Sequence, residues 1–227
     1  MDRPNALVLF DIDGTLVRRA GPHHREALVH AVRTVTGVEA TTDGIPIQGM
    51  LDRDILSIMM REAGLSGAAV RRQMPEVVRQ AQAVYPESCP DLRGSVCPGV
   101  RDALELLRSH GMVTGLVTGN LTRIGWTKIE QAGLREYFRF GAFAELARNR
   151  AGLARMAIRE ARRSGWIGRA SPITLIGDHE NDILAARANK IRAVAVATGI
   201  STAAELSRLK PDLLLPDLRS LRLEMLL

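Results

Sequence analysis

The stretch LVLFDIDGTLV, residues 7–17, joins a short apolar run to two acids and a glycine. Its first four residues are apolar, and such a run predicts a buried β-strand. Asp11 and Asp13 follow at once, and alternate residues of a strand project to one side, so both carboxylates can face one point. Gly14 then allows a sharp turn. Because neighbouring carboxylates repel each other, the stretch predicts either a bound divalent cation or a split of roles between a nucleophile and an acid.

Other apolar runs along the chain predict a parallel β-sheet. They are rich in Val, Leu and Ile without polar alternation, which is typical of strands covered on both faces. Amphipathic segments alternate with them from residue 99 onward, including one over residues 153–163 and one over 183–188. The pattern predicts an α/β fold, in which helices flank a Rossmann-like parallel sheet core. The six predicted strands are residues 6–11, 113–118, 140–144, 173–178, 193–197 and 212–215.

The segment between the first predicted strand and Val100 breaks this alternation. It contains no convincing strand, but it has three amphipathic segments with helical spacing. We therefore predict a smaller all-helical cap domain over residues 18–94, inserted into a core built from residues 1–17 and 95–227. The three predicted cap helices are residues 24–35, 53–63 and 68–85.

The composition limits the classes of partner. Hydrophobic residues make up 46% of the 227, which is enough for a sizeable core, and the net charge is +6. A basic protein can bind nucleic acid or an anionic substrate. The arginines, however, are spread along the chain and are not interleaved with aromatic residues, so we predict a solvated basic surface and no nucleic-acid partner.

The chain also carries no pattern for export or membrane insertion. Cys89 and Cys97 lack the spacing of a zinc site or a disulfide framework. The first residues do not read as a secretory leader, and no apolar run approaches the roughly 20 residues that span a bilayer. These observations predict a cytoplasmic protein with no membrane partner, as a monomer or a homodimer.

Two further motifs follow predicted strands. In LIGDHENDI, residues 175–183, Asp178 lies at a strand end and Asp182 in the first turn of the next helix. Such hard carboxylate oxygens suit Mg²⁺. In LVTGN, residues 116–120, the Thr118 hydroxyl and the backbone N–H groups of the next two residues predict an anion site at a helix start. Ligands of an open parallel sheet bind at the carboxyl ends of its strands, where all three motifs would meet.

These motifs in this order resemble the haloacid dehalogenase superfamily of phosphohydrolases, of the phosphoglycolate phosphatase and β-phosphoglucomutase-like type. The matching segments are Asp11-Ile-Asp13-Gly-Thr15, Thr118-Gly119-Asn120 and Gly177-Asp178-His-Glu-Asn-Asp182. The resemblance covers essentially the whole chain, because the helical cap falls where these relatives carry theirs.

The resemblance implies a two-step reaction. Asp11 would attack phosphorus and become an aspartyl phosphate, while Asp13 would protonate the leaving oxygen and then activate water. Mg²⁺ would contact the Asp11 carboxylate, the Asp13 backbone carbonyl and Asp178, with Asp182 direct or through water. Thr118 and the amides of Gly119 and Asn120 would hold the other phosphoryl oxygens.

The second aspartate also narrows the expected reaction. Within the superfamily, an aspartate at the position that matches Asp13 of this chain is typical of phosphatases and phosphomutases. The resemblance therefore implies a Mg²⁺-dependent phosphatase that acts on a small phosphorylated metabolite. A β-phosphoglucomutase-like phosphoryl transferase and a catalytically inactive binding or regulatory relative stay open as alternatives.

Two predicted basic side chains of the site lie outside the three motifs. Relatives usually have a lysine before the last motif, but no lysine occurs between residues 129 and 189. Arg150 is the first candidate to replace it, Arg148 the second and Lys128 the third. In the predicted cap, Arg53 could bind a second anionic group of the substrate, although the same residues also read as an ordinary helix start.

Overall fold

The computed structural model describes residues 6–18 and 21–226, and its centre is one parallel sheet. Within the described residues this sheet has six strands in the order β3-β2-β1-β4-β5-β6. It confirms the predicted α/β fold. The strands are β1 Leu7–Phe10, β2 Val113–Val117, β3 Phe140–Ala142, β4 Ile173–Gly177, β5 Arg192–Val196 and β6 Leu213–Leu215.

The helices fall into two groups along the chain. Three lie between β1 and β2 in the predicted cap, namely α1 His23–Thr36, α2 Asp52–Glu62 and α3 Gly67–Ser88. The others alternate with the strands as α4 Val100–Ser109, α5 Thr122–Gln131, α6 Arg150–Arg163, α7 Glu180–Ala188 and α8 Ala203–Arg208. No helix among the described residues is both long and apolar enough to cross a membrane.

Two helices begin three residues earlier than the sequence predicts, and both shifts bring a charged side chain to the sheet edge. Asn149 caps α6, where its side chain accepts the backbone N–H of Gly152 at 2.8 Å, so Arg150 becomes the first helical residue. His179 caps α7 in a reciprocal arrangement with Asp182. Capping groups satisfy backbone N–H donors that have no partner inside the helix.

Strand β1 is the buried centre of the sheet and sets the level of its carboxyl edge. All four of its residues are fully buried. Its last residue, Phe10, is paired with Leu116 of β2 on one side and with Ile176 of β4 on the other. This register places Asp11, Thr118 and Asp178 one or two residues past those pairs, at the same end of three adjacent strands.

Apolar packing is continuous between the helices α1–α3 and the sheet. One buried cluster includes Leu28 and Met59 from these helices together with Leu9, Val117 and Leu121. The division into a core and a cap over residues 18–94 stays a prediction, and residues 1–5, 19–20 and 227 of those predicted domains lie outside the described residues.

Candidate active site

Three carboxylates converge at the carboxyl edge of the sheet. Asp11 follows β1, Asp178 follows β4, and Asp182 lies in the first turn of α7. One ligand oxygen from each lies within 4.8 Å of the others, and all three side chains are buried. The structure therefore brings together the first and last sequence motifs, although Asp178 comes 167 positions after Asp11.

The electrostatics of this cluster fit a hard divalent cation. Burial, and then the charges of Asp11 and Asp182, raise the pKa of Asp178 well above its usual range. Burial also raises the pKa of Asp182, against the opposing effect of Arg150. Asp182 Oδ1 is buried and accepts no hydrogen bond from any described residue. Crowded carboxylates with a free oxygen are the donor set that Mg²⁺ takes in proteins.

Asp178 is held in place by its immediate surroundings. Thr15 Oγ1 donates a hydrogen bond to Asp178 Oδ1 at 2.9 Å. A Cβ atom added at Gly199 would lie 1.6 Å from Asp178 Oδ2, and one at Gly14 would lie 2.3 Å from it. The close approach requires glycine at both positions. Gly199 belongs to none of the three motifs, so no sequence signal indicated its role.

Arg150 is the cation beside Asp11. Its Nη1 donates to Asp11 Oδ1 at 2.6 Å and to the Val117 carbonyl at 3.1 Å, and its Nε lies 3.5 Å from Asp182 Oδ1. The side chain is buried, whereas that of Arg148, the second sequence candidate, is exposed. The structure thus brings to this position the first of the three candidates.

Lys128 is buried as well, but it contacts the other aspartate. Its Nζ donates to both oxygens of Asp13 at 2.7 Å and to Asn120 Oδ1 at 2.6 Å. Burial raises the pKa of Asp13, but the charges of Lys128 and His24 and the hydrogen bonds from Lys128 and Asn120 together outweigh it, so this pKa lies below its usual range. The sequence ranked Lys128 third; its position one helical turn after the buried Ile124 was the signal that it faces inward.

Asp13 contributes no carboxylate oxygen to the three-acid cluster. Its side chain turns to Lys128 and to Asn120, whose Nδ2 donates to Asp13 Oδ2 at 2.7 Å. The metal contact that the resemblance implies for this residue is through its backbone carbonyl, and that contact stays a prediction.

The predicted phosphate-binding segment, Thr118-Gly119-Asn120, lies beside Asp13. Thr118 is fully buried, and its Oγ1 accepts from Asn120 Nδ2 at 2.8 Å. Gly119 is covered by the segment before α2, because a Cβ atom there would lie 2.2 Å from the carbonyl oxygen of Met50. All three residues of the segment line the same cavity as Asp11 and Asp13.

That cavity, of about 640 Å³, is lined by the sheet edge, by residues from α1 and α2, and by the segment between these two helices. Arg53 does not line it and is exposed, so the structure does not bring this predicted residue to the site. Its neighbour Asp52 is buried there, and its Oδ2 accepts the backbone N–H of Leu121 at 2.8 Å. Successive helical residues point about 100° apart, so fixing Asp52 inward turns Arg53 to solvent.

Comparisons with known proteins identify the family of the chain. Residues 6–190 match the sequence model of the haloacid dehalogenase-like hydrolases. The chain is 28% identical to "Probable phosphatase IndB" of Dickeya dadantii, over 92% of this chain and 88% of that protein. It is 29% identical to a phosphoglycolate phosphatase of Synechococcus elongatus, over 92% and 91% of the two chains.

Solved structures show the same fold. A CbbY structure from Rhodobacter sphaeroides in complex with phosphate superposes with a TM-score of 0.73 at 19% identity, covering 98% of this chain and 99% of that one. A β-phosphoglucomutase from Clostridium difficile gives 0.70 at 17% identity, with 98% and 95% covered. The match to the family model spans most of the chain, and the chain therefore belongs to the haloacid dehalogenase-like hydrolases.

Proposed function

We propose that this hydrolase is a Mg²⁺-dependent phosphatase that cleaves a small phosphate monoester through an aspartyl phosphate on Asp11. The observation that carries the proposal is the surroundings of Asp11. This carboxylate lies within 4.8 Å of two other buried carboxylates, is contacted by Arg150 at 2.6 Å, and opens into a cavity that also contains Asp13.

The three carboxylates would hold the metal. Asp11, Asp178 and Asp182 offer the oxygens, together with the backbone carbonyl of Asp13. Mg²⁺ bound there would clamp the phosphoryl group and offset its charge. Arg150 occupies Asp11 Oδ1, and no side chain among the described residues donates to Oδ2, which leaves that oxygen to attack phosphorus.

The two aspartates would divide the proton transfers. The negative charge of a bound phosphate ester opposes the effect of Lys128 on Asp13 and favours the protonated form of this carboxyl. As the Asp11–phosphorus bond forms and the ester P–O bond breaks, Asp13 then gives its proton to the leaving oxygen. In the second step Asp13 takes a proton from water, whose oxygen bonds to phosphorus, and Asp11 leaves as a free carboxylate. The products are the alcohol and inorganic phosphate, and the enzyme is restored.

The cavity supports a small and anionic substrate. Its volume of about 640 Å³ is in the range of metabolite-binding pockets. Arg18 and Arg25 line it from exposed positions, where they can contact a second negative group. Phosphoglycolate, the substrate that several relatives are named for, and sugar phosphates are the first compounds to test.

The test is a phosphate-release screen over small phosphate esters, with Mg²⁺ and with EDTA. We expect Mg²⁺-dependent release from at least one ester, loss of turnover in Asp11→Asn, and a phosphorylated residue 11 in acid-quenched wild-type protein. Asp102→Asn, at an exposed position on α4, is the matched control and should keep full activity. Turnover retained by Asp11→Asn, or a wild type inert to the whole panel, would contradict the proposal.

The same screen distinguishes a phosphatase from a phosphoryl transferase. A β-phosphoglucomutase-like enzyme passes the phosphoryl group to a sugar, so it would require a sugar bisphosphate activator and release little free phosphate. The panel therefore includes glucose 1-phosphate with and without glucose 1,6-bisphosphate.

A further inference from the structure

Lys128 is a buried ammonium group with all its donors used. Its side chain is 1% exposed. Besides both oxygens of Asp13 and Oδ1 of Asn120, its Nζ lies 3.1 Å from Nδ1 of His24. A lysine ammonium has three N–H donors, and three side chains receive them. It therefore has no donor left for a substrate phosphate, which distinguishes it from Arg150.

The His24 contact connects Lys128 to the helices between β1 and β2. His24 lies on α1, and its Nε2 is 3.0 Å from Oδ2 of Asp52, the first residue of α2. That Asp52 oxygen also accepts the backbone N–H of Leu121, and the Asp52 backbone N–H donates to the Gly119 carbonyl at 2.8 Å. Asp52 therefore contacts the middle residue of the phosphate-binding segment and the residue that follows the segment.

The chemistry of these groups fixes the direction of each hydrogen bond. Lys128 can only donate, so Nδ1 of His24 must accept and its proton must lie on Nε2. The Nε2–H then donates to Asp52, which is an acceptor. The result is a chain of side chains that runs from Asp52 through His24 and Lys128 to Asp13, in which each member orients the next, as the histidine of a catalytic triad is oriented by its carboxylate.

We propose that Lys128 is a positioning residue for Asp13, and that His24 and Asp52 act on Asp13 through it. This inference rests on the proposed function, in which Asp13 is the acid and base. A bidentate contact from one ammonium group, with Asn120 on the second oxygen, leaves the Asp13 carboxylate a single orientation. Removing His24 takes one of the three acceptors from Lys128 and lets the ammonium group shift.

The expected effects separate positioning from substrate binding. Lys128→Met should lower kcat by roughly 10- to 100-fold, because a small misplacement of a reacting group has effects of this size. KM should change by less than about threefold, since Lys128 has no donor free for the substrate. His24→Leu should lower kcat by about tenfold, and His24→Asn, whose Oδ1 can still accept from Lys128, should recover part of the loss.

A double-variant cycle tests whether His24 acts through Lys128. If it does, His24→Leu should have little further effect on kcat in the Lys128→Met background, whereas independent sites would give multiplied losses. Lys210→Met and His30→Leu, at exposed positions away from the cavity, are the matched controls. Thermal melts show whether each variant is folded. If Lys128→Met does not fold, the comparison of kcat between His24→Leu and His24→Asn tests the proposal.

A nitrogen NMR spectrum of the wild-type histidines gives a readout that does not depend on turnover. The inference requires His24 as the Nε2–H tautomer, with a shift of its Nδ1 resonance in Lys128→Met. A proton on Nδ1, multiplied losses in the cycle, an unchanged kcat in Lys128→Met, or a loss confined to KM would each overturn it. Failure of the proposed function looks different, because it is a wild type that releases no phosphate from any ester.

Discussion

Replacing Arg150 by methionine tests the electrostatics of the three-acid cluster most directly. Arg150 lies 2.6 Å from Asp11 and 3.5 Å from Asp182, and all three side chains are buried. Opposite charges about 4 Å apart attract by about 4 kcal/mol at an effective dielectric constant of about 20. Removing one partner of a buried ion pair costs about 3–5 kcal/mol, because it leaves the other charge uncompensated.

This energy translates into a measurable change in melting temperature. In a chain of this size, each kcal/mol lowers Tm by about 2–4 °C. Without metal, Arg150→Met should therefore melt roughly 6–20 °C below the wild type. Mg²⁺ bound to the same carboxylates supplies positive charge, so the deficit should shrink at saturating Mg²⁺. Activity should not recover: kcat/KM should stay about 10²- to 10³-fold low, since the guanidinium also stabilises developing phosphoryl charge.

Calorimetric melts in EDTA and in Mg²⁺, followed by phosphate-release assays, measure both effects. Arg148→Met is the matched control, because it removes an arginine two residues away whose side chain is exposed. Arg150→Lys keeps the charge but not the forked geometry, so it should lie between Arg150→Met and the wild type. Equal melting temperatures of Arg150→Met and wild type in EDTA, or an equal activity loss in Arg148→Met, would refute the assignment.

Two further predictions concern the same carboxylates. The pKa values of Asp178 and Asp182 are raised in the folded protein. At pH values above the usual carboxyl pKa and below these raised pKa values, the native state without metal therefore binds more protons than the unfolded chain. Its free energy of unfolding should therefore fall as pH rises through that window, and urea titrations at several pH values should show this trend in EDTA and lose it in Mg²⁺. Gly199→Ala places a methyl group against Asp178 and should raise the Mg²⁺ concentration for half-maximal activity by about tenfold or more. The control Gly94→Ala, which has open space around the added methyl group, should leave this concentration unchanged. An unchanged Mg²⁺ requirement in Gly199→Ala would contradict the role of that glycine.

The sheet could be predicted from the sequence because its signal is local. Each strand is a short apolar run, and the parallel pairing follows from the helices between the runs. The starts of α6 and α7 were missed by three residues, because their first turns carry Arg150 and Asp182 and no large apolar side chain. Polar first turns face the site and therefore do not contribute to the hydrophobic period.

The site could be predicted only in part, because some of its contacts depend on distant segments. The acids at the strand ends were found from local motifs. The burial of Lys128 depends on Asp13, which is 115 positions earlier, and no residue near position 128 in the sequence indicates that partner. Arg53 was selected in place of Asp52 because sequence gives the start of a helix to within a residue or two, whereas one residue changes the direction of a side chain by about 100°.

The structure differs most from the sequence-based prediction in the directions of the Asp11 and Asp13 side chains. Strand alternation predicts that both carboxylates face one point, but β1 ends at Phe10. Past that residue Asp11 turns to Arg150 and the acids after β4, and Asp13 turns to Lys128 and the segment after β2. In the proposed mechanism, Asp11 has to stay anionic beside the metal as the nucleophile. Asp13 can give and accept a proton only if the metal does not hold its carboxylate. Separate cations, Arg150 for Asp11 and Lys128 for Asp13, allow one short segment to supply both groups.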